Sequence, residues 1–178
     1  MGGMRRASIV KLSIGLVALG VAGCTKRALR YEDDADVGGL QVAFDCAKKP
    51  AGDRADACRI VADYADNHDP RREAAWIAEV DGQPVGCVLC VRKDDDTAQL
   101  RILLVDPAAR GLGIGARLVG ECLAFARRAG YKRIVLWTND VLIAARRIYQ
   151  AAGFRLTGEE PHHSFGHDLV SQTWQLDL

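Results

Sequence analysis

Residues 100–115 of this chain read LRILLVDPAARGLGIG, in which an apolar run leads through a proline into a glycine-rich turn. Residues 102–105 contain no polar side chain, as is typical of a strand that is buried on both faces. Pro107 cannot donate a backbone hydrogen bond and biases Asp106 away from helical geometry, so we expect the strand to end there. The stretch therefore predicts a central strand followed by a tight turn.

The turn contains three glycines at alternate positions, Gly111, Gly113 and Gly115. Glycine lets the backbone bend sharply and approach a ligand closely. From about Ala116, apolar residues recur at helical spacing and predict an amphipathic helix, whose start presents unpaired amide N–H groups at the positive end of the helix dipole. This arrangement favours a bound phosphate, although a turn that only joins a strand to a helix has the same glycines. The spacing fits neither a Rossmann turn nor a P-loop.

Composition limits the class of protein. The 178 residues have room for one domain and a leader, and 49% of them are hydrophobic, which allows a sizeable core. The formal net charge is +1, and the basic residues are dispersed along the chain. We therefore expect no nucleic-acid partner, because binding driven by bulk charge needs a strongly basic surface.

Residues 1–24 have the layout of a secretory signal. Arg5 and Arg6 precede an apolar run over residues 9–22 that is too short to span a membrane comfortably. The run ends at Gly23 and Cys24, and this ending resembles the lipobox of bacterial lipoproteins. That resemblance implies a lipid on Cys24. A misassigned start, or an apolar leader that is never exported, is an equally good interpretation.

Residues 25–52 are polar and mixed, and predict an irregular tether with a weak strand signal near residues 40–44. Cys46 and Cys58 would pair only in an oxidising compartment. Cys87 and Cys90 fit a Cys-x-x-Cys pattern, but in a strand their side chains point to opposite faces of the sheet. Core packing is therefore favoured over zinc or redox chemistry for these two.

Residues 53–178 alternate predicted strands and helices in the middle, and antiparallel pairs flank them. The predicted elements are a helix over 53–67 capped by Asp53, strands over 75–80 and 85–91 around an Asp81-Gly82 turn, the strand over 100–105, a helix over 116–129 ended by Gly130, a strand over 134–138, a helix over 141–152 capped by Asn139 and Asp140, and strands over 154–158 and 171–177. This order indicates a single α/β domain with one mixed central sheet flanked by helices.

Two motifs about forty residues apart carry a family resemblance. The sequence Arg110-Gly-Leu-Gly-Ile-Gly115, after a strand that ends Val-x-Pro, resembles the acyl-CoA-binding motif of the GNAT superfamily of N-acetyltransferases. Asn139, Tyr149 and the Gly153-Phe154 pair, with alanines between, look like the second signature of that superfamily. The resemblance covers residues 56–178 and implies the single-domain GNAT fold, for which we find no convincing first strand.

The chain is particularly similar to the acetyltransferase half of bacterial proteins that fuse a MarR-type DNA-binding domain to a GNAT domain. The similarity lies in LWTN at residues 136–139 and in PHHSFGHD at residues 161–168. The DNA-binding half is absent from this sequence.

The resemblance implies acetyl-CoA as co-substrate and no metal. It places the pyrophosphate of acetyl-CoA on the glycine turn and the pantetheine arm along the central strand, with a polar contact from the next strand. The residues that match these positions are Arg110, Gly111, Gly113, Gly115 and Ala116 for the pyrophosphate, and Leu103, Leu104, Val105 and Asn139 for the pantetheine arm.

The implied reaction moves an acetyl group to a primary amine by direct attack through a tetrahedral intermediate, which needs a held donor and a neutral amine. Tyr149 matches the family residue that protonates the departing thiolate, and a phenol of pKa ~10 suits that task. A core aromatic is the alternative for Tyr149. Glu79 and His162 are candidates for the base, because residues 98–101 hold no carboxylate.

His163 and His167 are further candidates for the base, and histidines that only cap the last hairpin fit the sequence equally well. Three histidines so close together also allow a zinc site, but no second cluster completes it.

The leading hypothesis is an N-acetyltransferase that acts on a small-molecule or side-chain amine. The alternative is a membrane-anchored lipoprotein or a CoA-sensing GNAT-like binding module without catalysis. The intact turn and Tyr149 favour the enzyme. Since a lipidated protein outside the cytoplasmic membrane would meet little acetyl-CoA, we expect a cytoplasmic location, and a membrane only if Cys24 is lipidated. The sequence leaves a homodimer open and does not identify the acceptor.

Overall fold

The computed structural model describes residues 7–11, 54–164 and 167–178. Several predicted features lie outside these ranges, so they stay predictions. They are the tether over 25–52 with its weak strand, the cap Asp53, and the cysteines Cys24 and Cys46.

The described residues form one seven-stranded sheet in the order β1-β2-β3-β4-β5-β7-β6, in which only β4 and β5 are parallel. The strands are β1 Ala7–Lys11, β2 Ala74–Val80, β3 Gln83–Arg92, β4 Thr97–Val105, β5 Arg133–Asn139, β6 Arg155–Ser164 and β7 His167–Asp177. The helices are α1 Arg54–Asn67, α2 Ile114–Arg128 and α3 Ile143–Ala151, with a 3-10 turn over Pro107–Ala109. The predicted α/β architecture, a mixed central sheet flanked by helices, is confirmed.

The two helix-covered faces of the sheet bury different residues. On the face that we call the α2 face, side chains such as Trp76, Leu100 and Ile134 pack with Leu118 of α2. On the opposite face, the α1 face, Ala75 and Leu89 pack with Tyr64 of α1, and a partly buried Ile102 joins them. The helical spacing predicted this for α2, whose expected core positions are all buried: Leu118, Val119, Cys122, Phe125 and Ala126.

A first strand is present, which answers a question that the sequence left open. β1 pairs antiparallel with β2 from Ala7↔Val80 to Lys11↔Trp76, and lies within the segment interpreted as a leader. The Lys11 ammonium is 4.7 Å from the ring centre of Phe125, and Arg117 donates to the Ala7 carbonyl oxygen at 3.2 Å. These contacts attach the edge strand to α2. Sequence patterning missed the strand because its apolar residues merge with the apolar run that follows.

The last hairpin is longer than predicted, since only residues 165 and 166 separate β6 from β7. The polar run over residues 161–168 looked like a loop, but its residues pair across the two strands. His163 bonds Asp168 at 2.8 Å, and the Ser171 hydroxyl donates to the Glu160 carbonyl oxygen at 3.0 Å. Pro161 is tolerated because β6 is an edge strand, where a missing N–H donor disrupts no ladder.

The residues predicted to cap α3, Asn139 and Asp140, form hydrogen bonds with the last hairpin instead. The helix begins at Ile143 after Leu142, and among the described residues no side chain caps it. The Asp140 carboxylate instead accepts from the Val170 amide at 3.0 Å, and Asn139 bonds a side chain of β6. Contacts to the last hairpin have replaced the local caps that the sequence suggested.

Gly86 of β3 is a position where no side chain fits. A Cβ there would lie 2.8 Å from the Leu104 carbonyl oxygen and 3.2 Å from Leu118 Cδ1. Because the first of these atoms belongs to the backbone of β4, we expect Gly86→Ala to lower the free energy of unfolding by about 1–3 kcal/mol in a denaturant titration. Gly120→Ala is the control, at an exposed helix position with no described heavy atom within 4 Å, and should stabilise by about 0.5–1 kcal/mol. An unchanged stability of Gly86→Ala would contradict this account of the β3–β4 contact.

Candidate active site

β4 carries a strained bulge at Ile102. This β-branched residue has φ 52, in the left-handed region that such residues rarely adopt. The register against β3 shifts here, from Leu89↔Arg101 to Cys87↔Leu104, so that β4 has one more residue than its partner. A bulge of this kind bends a strand and re-aims its side chains.

β4 and β5 pair over a short distance only. Their parallel register runs from Thr97↔Arg133 to Gln99↔Val135, although β4 continues to Val105 and β5 to Asn139. The two strands therefore diverge beyond Gln99, and we call the gap between them the β4–β5 opening. The apolar run over residues 102–105 is half-buried for this reason, which corrects the expectation of burial on both faces.

The backbone of β4 is available along the β4–β5 opening. Within the described residues, no ladder joins β5 to Leu103, Leu104 or Val105. An extended ligand can form main-chain hydrogen bonds with such an edge. The role expected for these three residues stays a prediction, which this free edge supports.

The glycine turn follows directly on β4. The Asp106 carboxylate accepts from the Ala108 amide at 2.7 Å and fixes the 3-10 turn, and Gly111 and Gly113 then adopt φ 79 and 72. Gly113 is the N-cap of α2, and no side chain in the described part of the chain caps that helix. Its first amides thus lie at the positive end of the dipole, and no described heavy atom is within 4 Å of an added Cβ at Gly111 or Gly113. We call this helix start with its two glycines the cradle, and its free amides fit a diphosphate.

Gly115 has a packing role inside the first turn of α2. An added Cβ would lie 2.7 Å from Cδ1 of Ile148, so the bare backbone lets α3 approach α2 closely. Arg110, just before the turn, brings a positive charge to the same end of the helix. Ala116 is exposed in the first turn of α2.

Tyr149 lies on α3, at 4% exposure, among the core residues of the α2 face. Its ring meets Phe154 edge-on at 5.9 Å between centres, and Phe154 is itself buried. Burial raises the pKa of Tyr149 well above its usual value, with a smaller contribution from Cys122. The hydroxyl therefore keeps its proton at neutral pH and can donate it.

His162 and Asn139 form a pair on the opposite face of the sheet. The pattern of alternate side chains places Leu136 in the core of the α2 face, so Trp137 projects to the α1 face and Asn139 with it. His162 Nε2 is 3.0 Å from Asn139 Oδ1, and its ring is 6.0 Å from that of Trp137. Since an amide oxygen only accepts, Nε2 of the neutral ring carries the proton. Sequence reasoning missed this link, because it joins residues of different strands.

The other base candidates are placed differently. Glu79 lies on β2 opposite Pro84, with β3 between it and β4, so the structure does not bring it next to His162. His163 is exposed and bonded to Asp168. The base role of Glu79 stays a prediction without support from its position.

Cys87 and Cys90 project to opposite faces, as expected. The Cys87 thiol is 3.7 Å from the Ile102 carbonyl oxygen, and burial raises its pKa to about 12, whereas Cys90 packs in the core of the α2 face. In the described ranges, no group of three or more His, Cys, Asp or Glu side chains could hold a metal ion. Within the same ranges, no helix has the length and apolar character needed to cross a membrane.

Comparison with protein families gives a direct match. The sequence profile described as "Acetyltransferase (GNAT) family" matches residues 41–154. The chain belongs to the acetyltransferase (GNAT) family. This confirms the superfamily that the glycine turn and the Asn–Tyr–Gly-Phe signature indicated.

Curated GNAT relatives match the chain over part of their length. N-acetylaspartate synthetase of Danio rerio is 37% identical over 107 residues, which are 57% of this chain and 38% of that protein. Human N-acetyltransferase 8 is 35% identical over 121 residues, or 64% of this chain and 53% of that protein. The chain thus spans between about a third and about a half of the relatives' own length in these two matches.

Solved structures share the GNAT fold. An acetyltransferase of the GNAT family from Streptococcus pneumoniae matches with a TM-score of 0.67 at 16% identity, over 97% of this chain and 100% of that one. A GNAT family acetyltransferase from Elizabethkingia anophelis, solved with acetyl-CoA bound, matches with a TM-score of 0.61 at 16% identity, over 97% and 98%. At these identities the likeness concerns the fold.

Two glycines that flank α2 test whether the glycine turn binds the diphosphate. Gly113 and Gly130 lie at opposite ends of the helix, both have positive φ, and no described heavy atom is within 4 Å of an added Cβ at either. Gly113→Ala and Gly130→Ala should therefore lose similar stability. Only Gly113→Ala should weaken coenzyme A binding measured by calorimetry, by about tenfold, because its methyl group would crowd the amides that we expect to hold the diphosphate. Equal affinities of the two variants would mean that the glycine turn does not bind the coenzyme.

Proposed function

We propose that this GNAT chain is an N-acetyltransferase that transfers an acetyl group from acetyl-CoA to a primary amine. The observation that carries the proposal is the β4–β5 opening, which begins beyond Gln99, contains the Ile102 bulge and ends at the glycine turn. An opening between two strands of a continuous sheet gives a ligand access to backbone donors and to both faces. The names of the relatives, N-acetylaspartate synthetase and N-acetyltransferase 8, describe those proteins and support an amine as acceptor here.

The co-substrate supplies an activated acetyl group, and the chain supplies its orientation. The amides of Gly113 and of the first turn of α2, together with Arg110, would hold the diphosphate. The backbone of residues 103–105 would hold the extended arm. These contacts fix the thioester near the bulge, so that positioning rather than covalent chemistry by the protein accounts for much of the rate.

The acid and the base of the proposed reaction lie on opposite faces of the sheet. Tyr149 belongs to the α2 face and His162 to the α1 face, and the β4–β5 opening connects the two. His162 would take the proton of the bound ammonium. The amine nitrogen then bonds to the thioester carbonyl carbon, the carbon–sulfur bond breaks, and the Tyr149 hydroxyl gives its proton to the departing thiolate. The nitrogen loses its second proton to solvent as the amide forms, and the Tyr149 phenolate takes a proton back from solvent.

Burial keeps the Tyr149 hydroxyl protonated until the thiolate forms, because burial raises its pKa. The raised pKa also makes the phenol a weaker acid. A thiolate that forms in the same dry environment is desolvated as well, which raises its own proton affinity and favours the transfer. The fixed amides along β4 would stabilise the negative charge that develops on the carbonyl oxygen.

Removal of one hydroxyl tests the proposal. Tyr149→Phe should lower turnover by about 10²-fold in an assay of CoA release with an amine panel, while acetyl-CoA affinity stays nearly unchanged. Tyr131→Phe is the matched control, because its hydroxyl donates to the Arg72 carbonyl oxygen at 2.8 Å and has no role in the reaction. Unchanged turnover in Tyr149→Phe would remove this residue from the mechanism. Coenzyme A binding without release on any amine would favour the sensing module instead.

We also propose a cytoplasmic location with the amino-terminal segment retained. β1 supports this, because cleavage before Cys24 would remove the strand together with its contacts to Phe125 and Arg117. The intact mass of the protein from its host decides the matter. A mass that includes residues 7–11 fits the proposal, whereas a diacylglyceryl group on Cys24 at the amino terminus would overturn it.

We propose as well a closer relationship within the GNAT superfamily. Residues 136–139 and 161–168 support descent shared with the acetyltransferase half of MarR–GNAT fusion proteins, and Trp137, Asn139 and His162 of these two runs meet on the α1 face. A homodimer stays a prediction.

A further inference from the structure

Three side chains from three strands lie on the α1 face beside the β4–β5 opening: Arg101 of β4, Trp137 of β5 and His162 of β6. We infer that the amine acceptor carries a carboxylate, as an amino acid does, and that Arg101 binds this carboxylate while Trp137 and His162 receive the ammonium group. The inference rests on the proposed acetyl transfer and specifies its second substrate.

The placement of Arg101 follows from the alternation of side chains along β4. Ala98 and Leu100 lie in the core of the α2 face, so Gln99 and Arg101 project to the α1 face. Nη1 of Arg101 donates to Oε1 of Gln99 at 3.4 Å, which agrees with this assignment. The last paired position of the two strands is Gln99↔Val135. Arg101 is therefore the first side chain of β4 on this face after the strands diverge.

Trp137 is the corresponding residue of β5. It follows Val135 by two positions and projects to the same face as Arg101. Its side chain is 54% exposed, which is unusual for a large aromatic residue in the interior of a central strand. The exposed ring provides a surface for the hydrocarbon part of a ligand, and its face attracts a cation.

The charges of this trio suit a zwitterion. A guanidinium has five N–H donors in a fixed plane, so it can hold the Gln99 amide and a carboxylate at once. Across the opening from Arg101, the centre of the His162 ring lies 6.0 Å from that of the Trp137 ring. Its Nε2 is 3.0 Å from Asn139 Oδ1, which orients the ring. An ammonium over the Trp137 ring is thus near the group that removes its proton. An amine without a carboxylate would contact only Trp137 and His162.

The direct test compares acceptors that differ only by the carboxylate. The full chain is assayed for CoA release with L-phenylalanine against phenethylamine, L-leucine against 3-methylbutylamine, and L-lysine against cadaverine. We expect kcat/KM to be at least about tenfold higher for the amino acid of each pair, because a charge-assisted bidentate contact contributes roughly that factor.

A substitution separates Arg101 from the rest of the site. Arg101→Gln should raise KM for the amino acids about tenfold and leave KM for the plain amines, kcat and acetyl-CoA affinity unchanged, whereas Arg101→Lys should retain part of the preference. Arg155→Gln removes an exposed arginine of the edge strand β6 and should change none of these values.

The possible failures are distinguishable. Equal use of both members of every pair, or an equal loss for both in Arg101→Gln, would overturn the inference and leave the acetyltransferase activity standing. Uptake of acetyl-CoA without turnover of any amino acid would overturn it as well. A protein that neither binds acetyl-CoA nor releases CoA with any acceptor would contradict the proposed function itself.

Discussion

The extra residue in β4 at Ile102 is the constraint from which the site follows. Left-handed geometry at a β-branched residue costs about 1–3 kcal/mol and persists only where the surroundings hold it. Here Ile102 packs with Tyr64 and Leu89 on the α1 face, and its carbonyl oxygen faces the Cys87 thiol at 3.7 Å. The core of that face thus stabilises a strand shape that the sheet alone would not favour. The ladder of β4 to β5 ends just before this bulge, at Gln99, so the sheet opens beside it.

The chemical groups around the β4–β5 opening come from the strands and helices that end or begin beside it. Asp106 and Pro107 stop β4 and lead into the glycine turn, so an uncapped helix start lies at one end of the opening. On its two sides the sheet presents different environments. The α2 face offers Tyr149 in a dry core that keeps its hydroxyl protonated, and the α1 face offers His162, held by Asn139 beside an exposed tryptophan. One sheet can therefore separate a proton donor from a proton acceptor by its own thickness.

Local sequence signals predicted the parts of the fold in which local rules decide. The strand that Pro107 ends, the tight turn at Gly111 and Gly113, the end of α2 at Gly130 and the buried stripe of α2 all depend on neighbours in the chain, and all agree with the structure. The misses depend on distant partners. β1 merges with a longer apolar run, the polar strands of the last hairpin look like a loop, and Asn139 bonds His162 across strands rather than capping α3. The bulge at Ile102 has no signal in the sequence, since an apolar run reads the same whether the strand is straight or bent.

Arg101 has no functional signal in the sequence for the same reason, because its role depends on a residue of a different strand. A single arginine in an apolar strand is ordinarily a solvated residue at an edge, and its meaning depends on whether the neighbouring strand is still paired. With β5 paired throughout, Arg101 would be covered by a cross-strand neighbour. Since the register ends two residues earlier, Arg101 instead stands at the mouth of the opening, on the face that also presents Trp137 and His162. The opening beside the bulge thus exposes the backbone of β4 to acetyl-CoA. It also presents Arg101, which precedes the bulge, to the amine acceptor.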